Sequence, residues 1–200
     1  MFSIQAIEKD EGEQEGPPVT NLFGKVTFPT ELQPLLIEFK ELFVEPHTLP
    51  PNCLFNHSIP LKPNAEPVNV RAYRYPPYQN AEIEKQVRSM LHTSIIQPSQ
   101  SPFESPVLLI KKKDDTWCFC IDYRQVNDLT VKNKFPIPLI EDLLDELNGA
   151  AIFTKLDLRA GYHQIRMHPA DIHKTTFKTH QGLYEFRVMP FRLTNAPTTF

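Results

Sequence analysis

The sequence predicts an α+β fold, on three observations. Two β-rich runs, VLLIKKK and WCFCIDY, flank the polar turn DDT as the arms of a hairpin do. A second pair of runs, 175–179 and 183–189, flanks His180, Gln181 and Gly182, with Tyr184, Phe186 and Val188 alternating. Two further stretches, 78–93 and 135–147, carry apolar residues at helical spacing.

Composition sets the bounds. Two hundred residues fit one domain or a domain with an extension, and 40% hydrophobic content with 14 Phe is enough for a packed core. No apolar run approaches the roughly 20 residues that a membrane span needs. The first residues, MFSIQAIEKDEGEQEG, lack the basic and apolar regions of a secretory signal, so no targeting signal is seen. Three cysteines without a CxxC pair suggest neither a disulfide framework nor a zinc site, and Cys118 and Cys120 read as ordinary strand residues in a reducing compartment. The net charge of −3 is uneven. Residues 1–50 hold 3 basic and 9 acidic side chains of the chain's 21 and 24, so the remainder is mildly positive and has room for a positive groove.

Taken in order, residues 1 to about 28 are acidic, contain GPP and read as a flexible leader. Thr30 can cap a short helix with Leu32, Leu35, Leu36, Phe39 and Phe43 on one face. Eight prolines between Pro46 and Pro77 fix φ and favour an extended arm lying along a surface. Within it, PVNVRAYRY alternates well enough for an edge strand; Arg71 and Arg74, interleaved with Tyr73 and Tyr75, suit a nucleic-acid backbone, and an arm packing its aromatics on its own domain fits equally.

Residues 78–93 form an amphipathic helix with Ile83, Val87, Met90 and Leu91 inside. Beyond the breaker-rich QPSQSPFESP, the first hairpin carries Lys111, Lys112 and Lys113 at its tip, where a lysine run is either a solvated loop or an anion contact. The helix over 135–147 has Pro138 near its first turn, an apolar face of Ile140, Leu143, Leu144 and Leu147, and Gly149 as terminator. It leads to a short strand (Ile152, Phe153, Leu156) ending in Asp157, with a Gly161–Tyr162 turn after it. A carboxylate in such apolar company needs a cation or hydrogen-bonded partners, although a cap for the next element is the plainer alternative. His163, His168, His173 and His180 match no metal-binding spacing. Asn195 reads as the N-cap of a helix in progress at Phe200, so the chain is expected to be a fragment or a truncated gene product.

In this order, SPVLLIKKKDDTWCFCIDYRQVN, FPIPLIEDLLDELNGAAIFTKLDLRAGYHQI and TTFKTHQGLYEFRVMPFRLTNAPTTF resemble the reverse transcriptases of gypsy-type long-terminal-repeat retrotransposons over about residues 56–200. The resemblance implies a right-hand polymerase fold, of which the chain holds the fingers and a partial palm, with an extended N-terminal arm. Its division would be an acidic connector (1–45), the proline-rich arm (46–77) and the fingers with the first part of the palm (78–200). The implied activity is RNA-directed DNA polymerisation, a nucleotidyl transfer using two divalent metal ions, Mg²⁺ or alternatively Mn²⁺, held by three carboxylates.

Asp157 matches the first of these carboxylates, and Leu158 the residue whose backbone carbonyl also meets a metal. The other two belong to a YxDD turn that the sequence does not reach, so the chain alone is expected to be inactive. Lys112, Tyr162 and Phe191 match nucleotide-binding positions; Asp122, Arg124 and Pro197 match positions along the template. The implied partners are an RNA or DNA template with its primer, dNTPs, and the downstream palm and thumb, ribonuclease H and integrase segments of a polyprotein. The implied place is a cytoplasmic virus-like particle, away from any membrane. Two departures stand out: Cys118 replaces a phosphate-binding Arg, and Arg192 replaces the Gly of MPFGLTNAP. Both suit an alternative reading as a non-catalytic nucleic-acid-binding remnant.

Overall fold

The computed structural model describes residues 2–5, 32–40, 48–134, 139–150, 155–158 and 160–200. In chain order the elements are β1 (Phe2–Gln5), α1 (Gln33–Glu38), α2 (Pro77–His92), β2 (Ile96–Pro98), β3 (Ser105–Lys111) and β4 (Trp117–Ile121). There follow α3 (Arg124–Leu129), α4 (Ile140–Glu146), β5 (Lys155–Leu158), β6 (Phe177–Lys178), β7 (Leu183–Phe186) and α5 (Ala196–Thr199), with 3₁₀ turns at Gly161–Gln164 and Pro169–Thr175. The chain divides into two compact units, residues 1–46 with 138–161, and residues 47–137 with 162–200.

The larger unit is built on a five-stranded sheet in the order β2-β7-β6-β3-β4. The β3–β4 hairpin is antiparallel, with Val107 opposite Ile121 and Lys111 opposite Trp117. The β6–β7 hairpin pairs Phe177 with Tyr184, and its first strand joins β3 in parallel. Period-2 alternation buries Val107 and Leu109 and leaves Ile110 exposed. Phe177, at 0% exposure, is the centre of the core: the rings of Phe119, Tyr184 and Phe186 surround it at 5.6, 5.8 and 5.3 Å. Helix α2 begins at Pro77, whose missing N–H costs nothing at a first turn, and buries Ile83 and Val87 in the same core. Each such side chain contributes about 1.5–3 kcal/mol by leaving water.

The extended arm packs on this unit through its tyrosines. Tyr75 Oη donates to Val107 O (3.0 Å) and accepts from Leu109 N–H (3.2 Å). The edge strand expected over 67–75 does not form. Glu104 alone bridges the arm there, its N–H donating to Val68 O (2.7 Å) and its carbonyl accepting from Val70 N–H (2.9 Å). Pro67 cannot donate to a ladder, and the two tyrosine hydroxyls fix the arm side-on instead. Two elements lack a sequence signal: β2, which overlaps the start of the breaker-rich stretch and pairs with β7, and the six-residue helix α3.

In the smaller unit, β1 pairs antiparallel with β5, Ser3 lying opposite Asp157. Residues 2–5, read from composition as part of a flexible leader, are therefore a strand: Phe2 and Ile4 alternate with polar neighbours, enough for a short pairing. Helix α1 spans only Gln33–Glu38, the expected cap Thr30 and the contact residue Phe43 lying outside the described residues. Helix α4 is shorter than its sequence pattern, beginning at Ile140, while 135–138 lie outside the described residues. Its apolar positions Ile140, Leu143, Leu144 and Leu147 are exposed. The expected strand residues Ile152 and Phe153 also lie outside the described residues.

Candidate nucleic-acid interface

The β3–β4 hairpin presents cations at one end and an anchored acid at the other. At its tip, Lys112 N–H donates to Thr116 O (2.8 Å), and Asp115 takes the left-handed conformation at φ 61°. Asp114 accepts from both the N–H and the hydroxyl of Thr116, which holds its carboxyl below the ordinary range. Lys111 is tied to Asp115 at 2.6 Å, and Lys112 and Lys113 remain exposed. The result is a hydrogen-bonded turn carrying two exposed point charges, suited to an anion such as phosphate.

Just after β4, Asp122 is 8% exposed and fully engaged. Arg124 donates to it from Nε (2.9 Å) and Nη2 (2.6 Å), and Tyr73 Oη donates at 3.0 Å. The Arg124 hydrogen bonds, more than burial opposes, lower the Asp122 carboxyl to about 2. The guanidinium itself is 79% exposed, so Asp122 aims a solvent-facing cation. Tyr73, from the arm, completes this site.

The third cluster surrounds Phe191. Tyr162, in the 3₁₀ turn, meets Phe191 edge-on at 5.3 Å and Phe200 at 5.4 Å with a 31° tilt. Phe191 is 52% exposed, leaving an aromatic face toward solvent. The next residue, Arg192, has φ 76°, a left-handed backbone that favours glycine. Pro197 is exposed in the first turn of α5. Asn195 stands at the N-cap position without making a cap bond. Its side chain instead accepts from Asn133 N–H (3.0 Å) and donates to Val131 O (2.9 Å), fastening the 131–133 segment. Beside that segment lies a cleft of about 430 Å³ lined by Lys132, Lys134, Asn195 and Thr199. Sequence reasoning missed these two lysines, although VKNK is a visible basic run.

Cys118 faces Cys120, their sulfurs 3.3 Å apart. Burial and this neighbour push the Cys120 thiol up to about 11, against the pull of the Arg192 guanidinium. Arg192 thus lies near the strand position at which Cys118 stands.

Asp157 and Leu158 end β5 in the smaller unit, Asp157 opposite Ser3 and Leu158 opposite Phe2. The Asp157 side chain lies outside the described residues. Among the described residues no group of three or more His, Cys, Asp or Glu is placed to hold a metal ion. Of the expected site residues, the structure brings Tyr162 to Phe191 and Asp122 to Arg124, and sets Lys112 at the opposite end of the hairpin from Asp122.

Residues 110–200 match the family described as reverse transcriptase (RNA-dependent DNA polymerase). Over 180 residues the chain is 37% identical to the retrovirus-related Pol polyprotein from transposon 412 of Drosophila melanogaster, covering 86% of this chain and 14% of that protein. It is 33% identical over 183 residues to the transposon Tf2-3 polyprotein of Schizosaccharomyces pombe, covering 90% of this chain and 14% of that protein. The chain therefore spans about one-seventh of the length of these relatives. Among solved structures, a prototype foamy virus protease-reverse transcriptase superposes with a TM-score of 0.71 at 21% identity, covering 88% of this chain and 24% of that one. The fold is thus that of a reverse transcriptase, and no described helix is long and apolar enough to cross a membrane. Residues 110–200 of this chain are part of a reverse transcriptase domain of the kind found in retrotransposon and retroviral polyproteins.

Proposed function

We propose that the chain is the fingers and first palm segment of a gypsy-type RNA-directed DNA polymerase that binds a primer–template and dNTPs. The observation that carries this reading is the Tyr162–Phe191 ring pair, a partly exposed aromatic platform within residues that match the reverse transcriptase family. An aromatic face of this kind supports a sugar or base by stacking. Lys112 would meet the triphosphate as a point charge, and Arg124, aimed by Asp122, would meet the template backbone together with Pro197. Lys132 and Lys134 would add phosphate contacts along the cleft.

Asp157 and the Leu158 carbonyl would supply part of a Mg²⁺ site whose remaining ligands the described residues do not provide. Bound there, the metal would polarise a primer oxygen and neutralise charge on the leaving pyrophosphate. The division into a connector (1–45), an arm (46–77) and fingers with partial palm (78–200) belongs to the same proposal. So do assembly with thumb, ribonuclease H and integrase segments and a place in cytoplasmic particles. The second reading, a non-catalytic nucleic-acid-binding remnant, is favoured by one observation: Arg192 holds a glycine conformation with a side chain in place.

Fluorescence anisotropy of this chain with a labelled RNA–DNA primer–template tests the interface. Binding should weaken with salt, and Lys112→Ala and Arg124→Ala should each lower the salt slope by about 1. Binding that is indifferent to both would overturn the assignment. Primer extension separates the two readings: with Mg²⁺ and dNTPs the chain alone should incorporate nothing, whereas a longer chain that adds the remaining carboxylates should extend the primer and lose that activity with Asp157→Asn.

A further inference from the structure

Residues 118 and 120 are alternate positions of β4, so both side chains leave the strand on one face. Their sulfurs sit 3.3 Å apart as free thiols, Cys118 half-buried and Cys120 at 4% exposure. The third cysteine, Cys53, is exposed and has its own neighbour, Asn56. A pair this close is already oriented for reaction with itself, because proximity replaces a bimolecular encounter.

We infer that Cys118 and Cys120 form a dithiol that peroxide converts reversibly to an intrastrand disulfide. Cys118, the more accessible, attacks as the thiolate. A sulfur–oxygen bond forms, the peroxide oxygen–oxygen bond breaks, and the product is a sulfenic acid with hydroxide, which leaves as water. The Cys120 sulfur then attacks the Cys118 sulfur. The sulfur–sulfur bond forms as the sulfur–oxygen bond breaks, and the departing hydroxide takes the Cys120 proton as a second water. Two thiols and one hydrogen peroxide give one disulfide and two waters, with two electrons passing from sulfur to peroxide. Burial and the Cys118 neighbour raise the Cys120 thiol to about 11, with the Arg192 charge opposing only in part, so Cys120 keeps the proton that the departing hydroxide takes.

The geometry also makes the bond easy to undo. The sulfurs must close from 3.3 Å to the bonded separation of about 2.05 Å. Alternate residues of a strand have Cα atoms about 6.6 Å apart. That is the long end of the about 4.4–6.8 Å that disulfides span, so the strand must pinch and the bond is strained. Strained disulfides are the readily reduced, regulatory kind. The pinch acts on a ladder in which Cys118 faces Ile110 and Cys120 faces Leu108, next to Trp117 and the lysine-bearing tip. The redox state of the pair is thereby coupled to the hairpin.

The test uses the whole chain with Cys53→Ser, so that no third thiol can exchange. It is treated with one equivalent of hydrogen peroxide, alkylated in denaturant and digested with trypsin. The peptide over 114–124 carries both cysteines and no other. It should appear unalkylated and lighter by two hydrogens, and glutathione should return it to the doubly alkylated form. Trp117, the one tryptophan of the chain, should change its fluorescence in step. Cys118→Ser should leave Cys120 alkylatable and slow peroxide consumption more than about tenfold. Both thiols alkylated after treatment, or a sulfinic acid on Cys118 beside a free Cys120, would overturn the dithiol. Disulfide formation with no change at Trp117 would overturn the coupling to the hairpin.

Discussion

Asn127 fastens the turn at Arg192: its Nδ2 donates to Arg192 O (2.9 Å) and its Oδ1 accepts from Thr194 N–H (2.9 Å). The fastening holds a non-glycine residue at φ 76°, where a Cβ crowds the backbone at a cost of about 1–2 kcal/mol. Arg192→Gly should therefore stabilise the chain by about 1 kcal/mol, since glycine's extra unfolded-state freedom offsets part of the relief. Asn127→Ala should cost about 2 kcal/mol by leaving both backbone partners unpaired. Urea titration of both variants checks the pair; an Arg192→Gly variant less stable than the parent would refute the strain.

His57 makes the fold sensitive to mild acid. It is 1% exposed, Nδ1 lies 2.8 Å from Thr199 Oγ1, and burial, partly opposed by the charge of Asp171, lowers its imidazole to about 4. The folded value lies below the ordinary 6.5, so the unfolded chain binds the proton first. Its contribution is complete above about pH 6.5 and is lost as pH falls toward 4, by about 3 kcal/mol at most. Unfolding midpoints between pH 7 and 4 should fall steeply in the parent and less steeply in His57→Gln.

A second acid-sensitive step belongs to Asp122. Its carboxyl is lowered to about 2 by Arg124, so its contribution is present above about pH 4 and disappears as pH falls through 2. Because Arg124 is 79% exposed and screened by water, about 1 kcal/mol is expected. Asp122→Asn should be less stable than the parent by that amount at pH 7, and the difference should close as pH falls from about 4 to about 2. An NMR titration of Asp122 with a midpoint near 4 would contradict this.

Ser105 offers the opposite sign. Its hydroxyl is buried without a hydrogen-bond partner among the described residues, on a residue 1% exposed. Ser105→Ala removes an unsatisfied group without opening a cavity large enough to matter, so stability should be unchanged or up to about 1 kcal/mol higher. A loss of more than that in thermal unfolding would show that the hydroxyl is satisfied in solution.

The two hairpins, helix α2, the lysine run at the hairpin tip and the Gly161–Tyr162 turn were legible in the sequence because each rests on local chemistry, whereas Asp122 and Phe191 were singled out only by the family resemblance. Period-2 alternation, a lysine run between strands and apolar spacing along Ile83–Val87 act within a few residues of themselves. Strand β2 was not legible, because Ile96–Pro98 is a strand only by virtue of β7 lying alongside it. The same holds for β1, whose partner β5 lies about 150 residues away in sequence.

By itself, then, the order of residues determined which side chains stand at the hairpin tip, after β4 and in the 161–164 turn, and that residues 110–200 match the reverse transcriptases. Only the tertiary structure decided what those side chains touch. It turned Asn195 from a helix cap into a clamp on 131–133, recruited Tyr73 from the arm to Asp122, and set Arg192 in a glycine's conformation beside Cys120. The reason is physical: a hydrogen bond or a charge pair acts over a few ångströms of space, and the separation of its partners along the chain leaves no trace in either one's local pattern.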